Sequence, residues 1–188
     1  MPARIIADDR LREGYAYWCR KASGGRLPRR IDIDPTEIPH LLPHIRLVDV
    51  VGPGRFRYRL IGSEVREHHS SNPIGRYVDE LLPPPAGPRV VALYQQCASG
   101  ALPIYVEHEF TLPNASQIHR LSKVLYTPLS DDGMSVSHVL IFHVIAAALA
   151  DASPSVDLWG RPYRELVHIV LPGPHRSAGG AAYSWAAE

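Results

Sequence analysis

The order of apolar and polar positions predicts an amphipathic helix near the start of the chain. Between residues 8 and 21, Leu11, Tyr15 and Trp18 recur at helical spacing and form one apolar stripe. Asp8 and the acidic residue after it lie where negative charge favours the beginning of a helix. An exposed aromatic stripe of this kind needs a surface to cover it.

A hairpin follows, and the sequence of its second strand is RFRYRL. Residues 45–51 and 56–62 are the predicted strands, joined by a glycine-rich turn. Because side chains alternate between the two faces of a strand, the second strand has one apolar and one basic face. The apolar face carries Phe56, Tyr58 and Leu60, and the basic face carries Arg55, Arg57 and Arg59.

The rest of the chain predicts an α+β fold with a five-stranded antiparallel sheet. Short helices are expected within residues 64–82, and a longer helix over residues 89–99. Three more strands are predicted at residues 104–112, 119–129 and 136–145. Turn residues join these strands as hairpins, whereas a purely parallel sheet would need helical crossovers.

The chain divides into an N-terminal helix at residues 1–26, a sheet domain at 27–149 and a C-terminal extension at 150–188. Four prolines before the first strand allow only short helical turns, one of them capped by Asp34. In the extension, residues 158–171 are apolar enough for a short docked element. The small residues of 173–188 predict a flexible tail, so the extension is partly flexible.

Composition and charge exclude several classes of partner. The 20 basic and 19 acidic residues give a net charge of +1, so we expect neither nucleic acid nor a membrane as partner. The longest apolar run, residues 139–150, is too short to span a bilayer, and no secretory signal precedes the first helix. Cys19 and Cys97 are far apart and form no disulfide framework, which favours a cytoplasmic protein.

The polar residues give little support for catalysis or metal binding. The sequence has no nucleophile elbow, zinc-protease motif or phosphate-binding glycine loop, so no enzyme activity is expected. Glu107 and Glu109 share a strand face, where ion pairs with the next strand are the simpler interpretation. His40 and His44 have metal-ligand spacing, but Pro43 between them disfavours a helix, so no metal site is assigned.

Four segments resemble the PAS domain family. They are LPRRIDIDPTEIPHLLPHIRLVDV (27–50), FRYRLIGSEV (56–65), IGRYVDELL (74–82) and YTPLSDDG (126–133). Together they are similar to a bacterial subfamily of short, often stand-alone PAS proteins, over residues 10–148. The resemblance implies a PAS-like sheet with helices on one face, a small apolar cavity between them and a sensory role. It supplies no catalytic residue, and the cofactor or ligand is left unknown.

The resemblance implies two sets of candidate residues. Candidate ligand-binding residues lie on the cavity floor, near the Gly-Arg pair and on the last strand: Phe56, Tyr58, Leu60, Arg76, Tyr77, Phe142 and His143. Candidate interface residues lie on the first helix and the basic strand face: Leu11, Tyr15, Trp18, Arg57 and Arg59. The acids that meet the two arginines belong either to the chain's own first helix or to a partner.

Two features near the cavity have two interpretations each. Arg76 either binds a carboxylate or phosphate ligand bidentately or ties a backbone carbonyl, and the structural tie is favoured. One histidine of the pair His68-His69 is either an axial haem ligand or part of a polar loop.

The expected function is that of a sensory or regulatory PAS protein in bacterial signal transduction. It would act through protein-protein contact or dimerisation, and through a small ligand if the cavity holds one. The alternative is a small-molecule-binding domain or an enzyme that uses the same cavity.

Overall fold

We analysed a computed structural model of the 188-residue chain. The structure describes residues 5–67, 69, 71–82, 84, 86–111, 119–146 and 164–171. The predicted flexible tail at residues 173–188 and the histidine at position 68 lie outside the described residues.

The described residues form four α-helices and three 3₁₀ turns beside the sheet. The helices are α1 (Asp9–Lys21), α2 (Ser63–Arg66), α3 (Val78–Leu81) and α4 (Ala86–Gly100). The Asp8 carboxylate caps α1 by accepting a hydrogen bond from the Arg10 backbone N–H at 2.9 Å. Asp34 caps the short turn Pro35–Glu37 in the same way, as its sequence predicts. No described helix is long and apolar enough to cross a membrane.

The strands form one antiparallel sheet of six strands, one more than the sequence predicts. They are β1 (Ile45–Gly52), β2 (Arg55–Ile61), β3 (Ile104–Thr111), β4 (His119–Ser130), β5 (Val136–Ala146) and β6 (Arg164–Val170), in the spatial order β2-β1-β5-β4-β3-β6. The sixth strand lies in the C-terminal extension, at the place of the expected docked element, and pairs with β3. By this pairing β6 supplies backbone hydrogen-bond partners to a strand that would otherwise be an edge.

Both faces of the sheet are buried. The α1 face is covered by α1 and includes Leu47, Leu125, Leu129, Leu140 and Phe142. The α4 face is covered by α3 and α4 and includes Val48, Phe56, Tyr58, Val106, Val124, Tyr126, Val139 and Ile141. Because strands buried on both faces need apolar residues at successive positions, β5 is nearly all apolar from Val139 to Ile145.

The N-terminal helix packs on the chain's own sheet. Leu11 and Trp18 are fully buried, and the Trp18 indole N–H donates to the Pro128 carbonyl oxygen at 2.8 Å. Tyr15 is half-buried and stacks on the Trp18 ring. This packing differs from the sequence prediction, which gave these residues to an interface with another chain. The reason is that the α1 face of the sheet is itself apolar and requires cover.

Arg57 and Arg59 meet an acid of the neighbouring strand. Arg57 lies 3.3 Å and Arg59 lies 3.6 Å from the carboxylate of Asp49 on β1. The same carboxylate is 3.0 Å from Nδ1 of His138 on β5. The acids of the first helix have other partners: Asp8 pairs with Arg10, Asp9 with Arg12 and Glu13 with His40. From the sequence, the acids expected to meet the two arginines belong to the first helix or to a partner chain. The acid that meets them is Asp49, because β1 and β2 are paired.

A β-bulge moves one predicted cavity residue to the other face. Tyr58 is paired with Val48 and Leu60 with Leu47, so Arg59 has no partner on β1 between them. An extra residue of this kind reverses the alternation of faces. Leu60 is accordingly opposite a residue of the α1 face and is 41% exposed, whereas Phe56 and Tyr58 are buried on the α4 face.

Gly62, directly after β2, lies in close contact with the backbone of Leu42 and Pro43. Its backbone N–H donates to the Ile45 carbonyl at 2.8 Å, and an added Cβ would overlap the carbonyl oxygens of Leu42 and Pro43. We expect Gly62→Ala to lower the free energy of unfolding by about 1–3 kcal/mol, because backbone atoms must move to admit the methyl group. Urea denaturation measures the change.

Gly52→Ala is the matched control, since a Cβ at that residue meets nothing within 4 Å. It should change the free energy of unfolding by less than about 0.5 kcal/mol. Equal effects of the two substitutions would contradict the close approach at Gly62.

Candidate functional site

A buried arginine lies on the α4 face of the sheet, on the strand next to the edge strand β2. Arg46 is on β1, opposite Ile61 of β2 on one side and Ile141 of β5 on the other. Ile141 is in turn opposite Tyr126 of β4, so these side chains form one row across the sheet. Arg46 is only 7% exposed. Fully buried arginines are rare unless they are paired with an acid.

Three tyrosines interact electrostatically with the Arg46 guanidinium. They come from three different elements: Tyr58 from β2, Tyr94 from α4 and Tyr126 from β4. Tyr94 and Tyr126 meet edge to face with ring centroids 5.2 Å apart, and Tyr94 also stacks on Phe56 at 5.2 Å. We call Arg46, Tyr58, Tyr94 and Tyr126 the Arg46 cluster. Its rings are fixed by packing, because all three are at most 1% exposed.

Several polar atoms of the Arg46 cluster have no hydrogen-bond partner among the described residues. They are Nε of Arg46 and the hydroxyl groups of Tyr58 and Tyr94, although the Tyr58 hydroxyl lies close enough to Arg46 and Tyr94 to interact with both. Buried polar groups are hydrogen-bonded in the great majority of cases, and each exception requires an explanation. Within the described chain, Arg46 also forms no ion pair, and Asp49, the carboxylate on the same strand, lies on the opposite face.

The charge states in the cluster follow from burial. Burial disfavours the charged form of Arg46, and its pKa is raised only by attraction to Tyr94, Tyr58 and Tyr126, which act as anions only once their phenol groups ionise. Burial also raises the pKa of Tyr94 well above its ordinary value. At neutral pH the neutral Tyr94 phenol therefore gives the Arg46 charge no counter-ion. A guanidinium and hydroxyl groups that converge in an apolar environment are suited to binding an oxyanion.

Three of the residues that the sequence predicts for ligand binding lie on this face. Tyr58 belongs to the Arg46 cluster, and Phe56 packs on its Tyr94 ring. His143 is two residues beyond Ile141 on β5 and therefore faces the same way. Its Nε2 is 2.6 Å from the hydroxyl oxygen of Ser122.

Four other predicted residues lie elsewhere. Leu60 is displaced by the bulge, and Phe142 is on the α1 face, where its ring lies against Gly14 of α1. The exposed Arg76 side chain donates to the Ser71 hydroxyl at 3.3 Å, lies outside the Arg46 cluster and makes no hydrogen bond to a backbone carbonyl of a described residue. Tyr77 is half-buried with the Arg55 guanidinium 3.7 Å above its ring.

Sequence reasoning missed three members of the cluster, which are Arg46, Tyr94 and Tyr126. The available signal was the alternation in IRLVDV, which places Arg46 on one face with Val48. A charged residue inside a predicted central strand is unusual and marks a candidate site. The tyrosines carried no such signal, because an aromatic residue in a buried helix or strand is ordinary core.

Two of the histidines that the sequence offers as metal or haem ligands, His40 and His69, contact other side chains. His40 meets Glu13 at 2.8 Å, and the His69 ring lies edge-on to Tyr58 with centroids 6.0 Å apart. Among the described residues, no group of three or more histidine, cysteine or acidic side chains is arranged to hold a metal ion.

The chain was compared with family models and with curated proteins. A family model described as PAS domain matches residues 7–141, which is more than half of the chain. The match extends from the residue before the α1 cap into β5 and contains the whole Arg46 cluster. None of the curated proteins searched matches the chain.

Proposed function

Because the chain belongs to the PAS domain family, we propose that it is a sensory module whose signal is a small molecule bound between the sheet and α4. A sensory or regulatory role follows from the family in general. The proposal adds a binding role for the Arg46 cluster and an output through contact with another protein chain. It assigns no catalytic step to the protein.

One observation carries the proposal. Arg46 is buried without an acidic partner among the described residues, next to two tyrosine hydroxyls that also lack partners. A buried charge without a counter-ion opposes folding, and a buried polar group without a hydrogen bond does the same. A ligand that supplies the missing acceptor removes both costs, which gives the empty and the filled protein different stabilities.

The sheet offers a route from this site to the other side of the molecule. β4 and β5 contact α4 through one face and α1 through the other. A shift of these strands on binding would therefore change the packing of α1. Leu11 and Trp18 are buried against the sheet. We therefore propose that a partner chain binds the outer surface of α1 and responds to a change in the position of this helix.

A thermal-shift screen of the full chain with a mixed library of small metabolites tests the proposal. A ligand at about 100 times its Kd stabilises the folded state by about 2.7 kcal/mol. For a protein of this size each kcal/mol corresponds to about 2–4 °C in Tm. We expect at least one compound to give such a rise, and native mass spectrometry to show one bound molecule per chain.

A variant that lacks the hydroxyl groups of Tyr58 and Tyr94 tests whether binding takes place at the Arg46 cluster. Tyr58→Phe combined with Tyr94→Phe should reduce the rise in Tm, because both hydroxyls face the proposed ligand. Tyr77→Phe is the control, since Tyr77 lies outside the Arg46 cluster. A library without any stabilising compound, or one whose hits act equally on the double variant, would contradict the proposal.

A further inference from the structure

We infer that the ligand of the Arg46 cluster is a small monocarboxylate with an apolar body. This inference rests on the proposed function and specifies the chemistry of the same site. It follows from three properties of the described residues: the kind of donors, the number of charges and the nature of the walls.

The donors favour a carboxylate group. A guanidinium is a planar fork whose N–H groups match the two oxygens of a carboxylate. Arg46 presents this fork with Nε still without an acceptor, and the hydroxyls of Tyr58 and Tyr94 stand beside it as further donors. A neutral amide or alcohol would satisfy fewer of these donors and would leave the arginine charge without a counter-ion.

The charge favours a monoanion. Arg46 is the basic side chain that acts electrostatically on Tyr94 in the described part of the chain, and the described acids Asp49, Asp79 and Glu80 form ion pairs elsewhere. One carboxylate brings the buried site to a net charge of zero. A dicarboxylate or a phosphate dianion would leave an excess negative charge in an apolar interior, where it is strongly disfavoured.

The walls favour an apolar body. Apart from the Arg46 cluster, the hydrophobic residues buried in this core are mostly aliphatic: Val48, Val78, Val90, Leu93, Ile104, Val106, Val124, Val139 and Ile141. The polar side chains Ser122 and His143 lie on the same face and contact each other at 2.6 Å, so this core has polar and aliphatic parts. A molecule that fits this division has its carboxylate at Arg46 and its hydrocarbon or aromatic part among the aliphatic side chains.

Matched probes separate the three properties. We suggest isothermal titration and thermal shift of the full chain with benzoate, phenylacetate and hexanoate as monocarboxylates. Benzamide and benzyl alcohol keep the apolar body and lack the charge, while succinate and inorganic phosphate carry charge and lack the apolar body. We expect one or more of the monocarboxylates to bind, and the four other compounds to bind at least about tenfold more weakly, since each lost charge or apolar contact is worth a factor of that order.

Two substitutions of Arg46 identify the anion-binding group. Arg46→Met removes the charge and should weaken monocarboxylate binding about a hundredfold or more, as expected when a buried charged partner is removed. Arg46→Lys keeps the charge without the planar fork and should bind with intermediate affinity. Arg57→Met is the control, because Arg57 is paired with Asp49 at the surface. Circular dichroism verifies that each variant is folded.

The outcomes distinguish this inference from the proposed function. If neutral compounds bind and Arg46→Met does not weaken them, the ligand class is wrong and the binding role stands. If succinate or phosphate binds more tightly than every monocarboxylate, the monoanion argument is overturned. If neither these compounds nor the mixed library stabilises the protein, the proposed function fails together with the inference.

Discussion

Trp18→Ala is expected to lower the free energy of unfolding by about 3–5 kcal/mol, the range for removal of a buried tryptophan. Trp18 is fully buried between α1 and the sheet, where it packs with Leu11 and the residues of the α1 face. The substitution also removes the N–H that donates to the Pro128 carbonyl at 2.8 Å. That oxygen would become a buried acceptor without its partner, which adds to the loss. Urea denaturation followed by circular dichroism measures the effect.

The control for this prediction is Arg20→Ala, on the exposed side of the same helix. It should change the free energy of unfolding by less than about 0.5 kcal/mol. Light scattering of both variants separates docking of α1 on its own sheet from a role in dimerisation. An unchanged urea midpoint for Trp18→Ala, together with loss of a dimer, would show that the helix packs on another chain.

The sequence pattern predicts where the strands begin and end better than it predicts which side chains point to which face of the sheet. Strand positions 45–51 and 136–145 agree closely with β1 and β5, because turns and apolar runs mark the ends of strands. The faces depend on register, which is a contact between residues far apart in the chain. In β2 the bulge near Arg59 reverses the alternation, so the pattern placed Phe56 and Tyr58 correctly and Leu60 on the wrong face.

Because both faces of the sheet are buried, the sequence does not show which face of a strand points to which helix. When only one face is buried, polar residues mark the other, and the strand can be oriented from its sequence. In β5, Phe142 packs toward α1 and Ile141 toward α4, and both are equally apolar. The sequence therefore left open which of Phe142 and His143 points to the cavity face. In the structure His143 is the one on the α4 face, because its neighbours Ile141 and Val124 belong to that face.

The site was hidden for a related reason. The most prominent basic features of the sequence are the Gly-Arg pair and RFRYRL. The arginines of RFRYRL are exposed and paired with acids at the surface. The arginine that is buried stands alone in IRLVDV, between residues that pack on opposite faces. Its surroundings come from β2, α4 and β4, which converge only after folding. A local sequence pattern cannot predict that these three elements meet at Arg46.

Arg46→Met is expected to leave the free energy of unfolding of the ligand-free protein unchanged or to raise it by about 1–4 kcal/mol, the range for replacing buried ionic groups by apolar ones. In the wild-type protein the guanidinium is removed from water without a carboxylate among the described residues to compensate it. A methionine fills much of the same volume, packs against the aliphatic walls and requires no counter-ion. The matched variant Arg57→Met should lose at most about 1 kcal/mol, because its ion pair with Asp49 is partly exposed.

The sign of the Arg46→Met effect separates two roles for the arginine. A residue that serves binding can remain in a core at the expense of stability, because selection acts on function as long as the protein stays folded. A purely structural arginine is held by partners, and its removal typically costs about 3–5 kcal/mol when the pair is buried. Urea denaturation of ligand-free wild-type and variant proteins makes the comparison. A loss of that size would mean that Arg46 already has its counter-ion within the fold, and that the site needs no anion from solution.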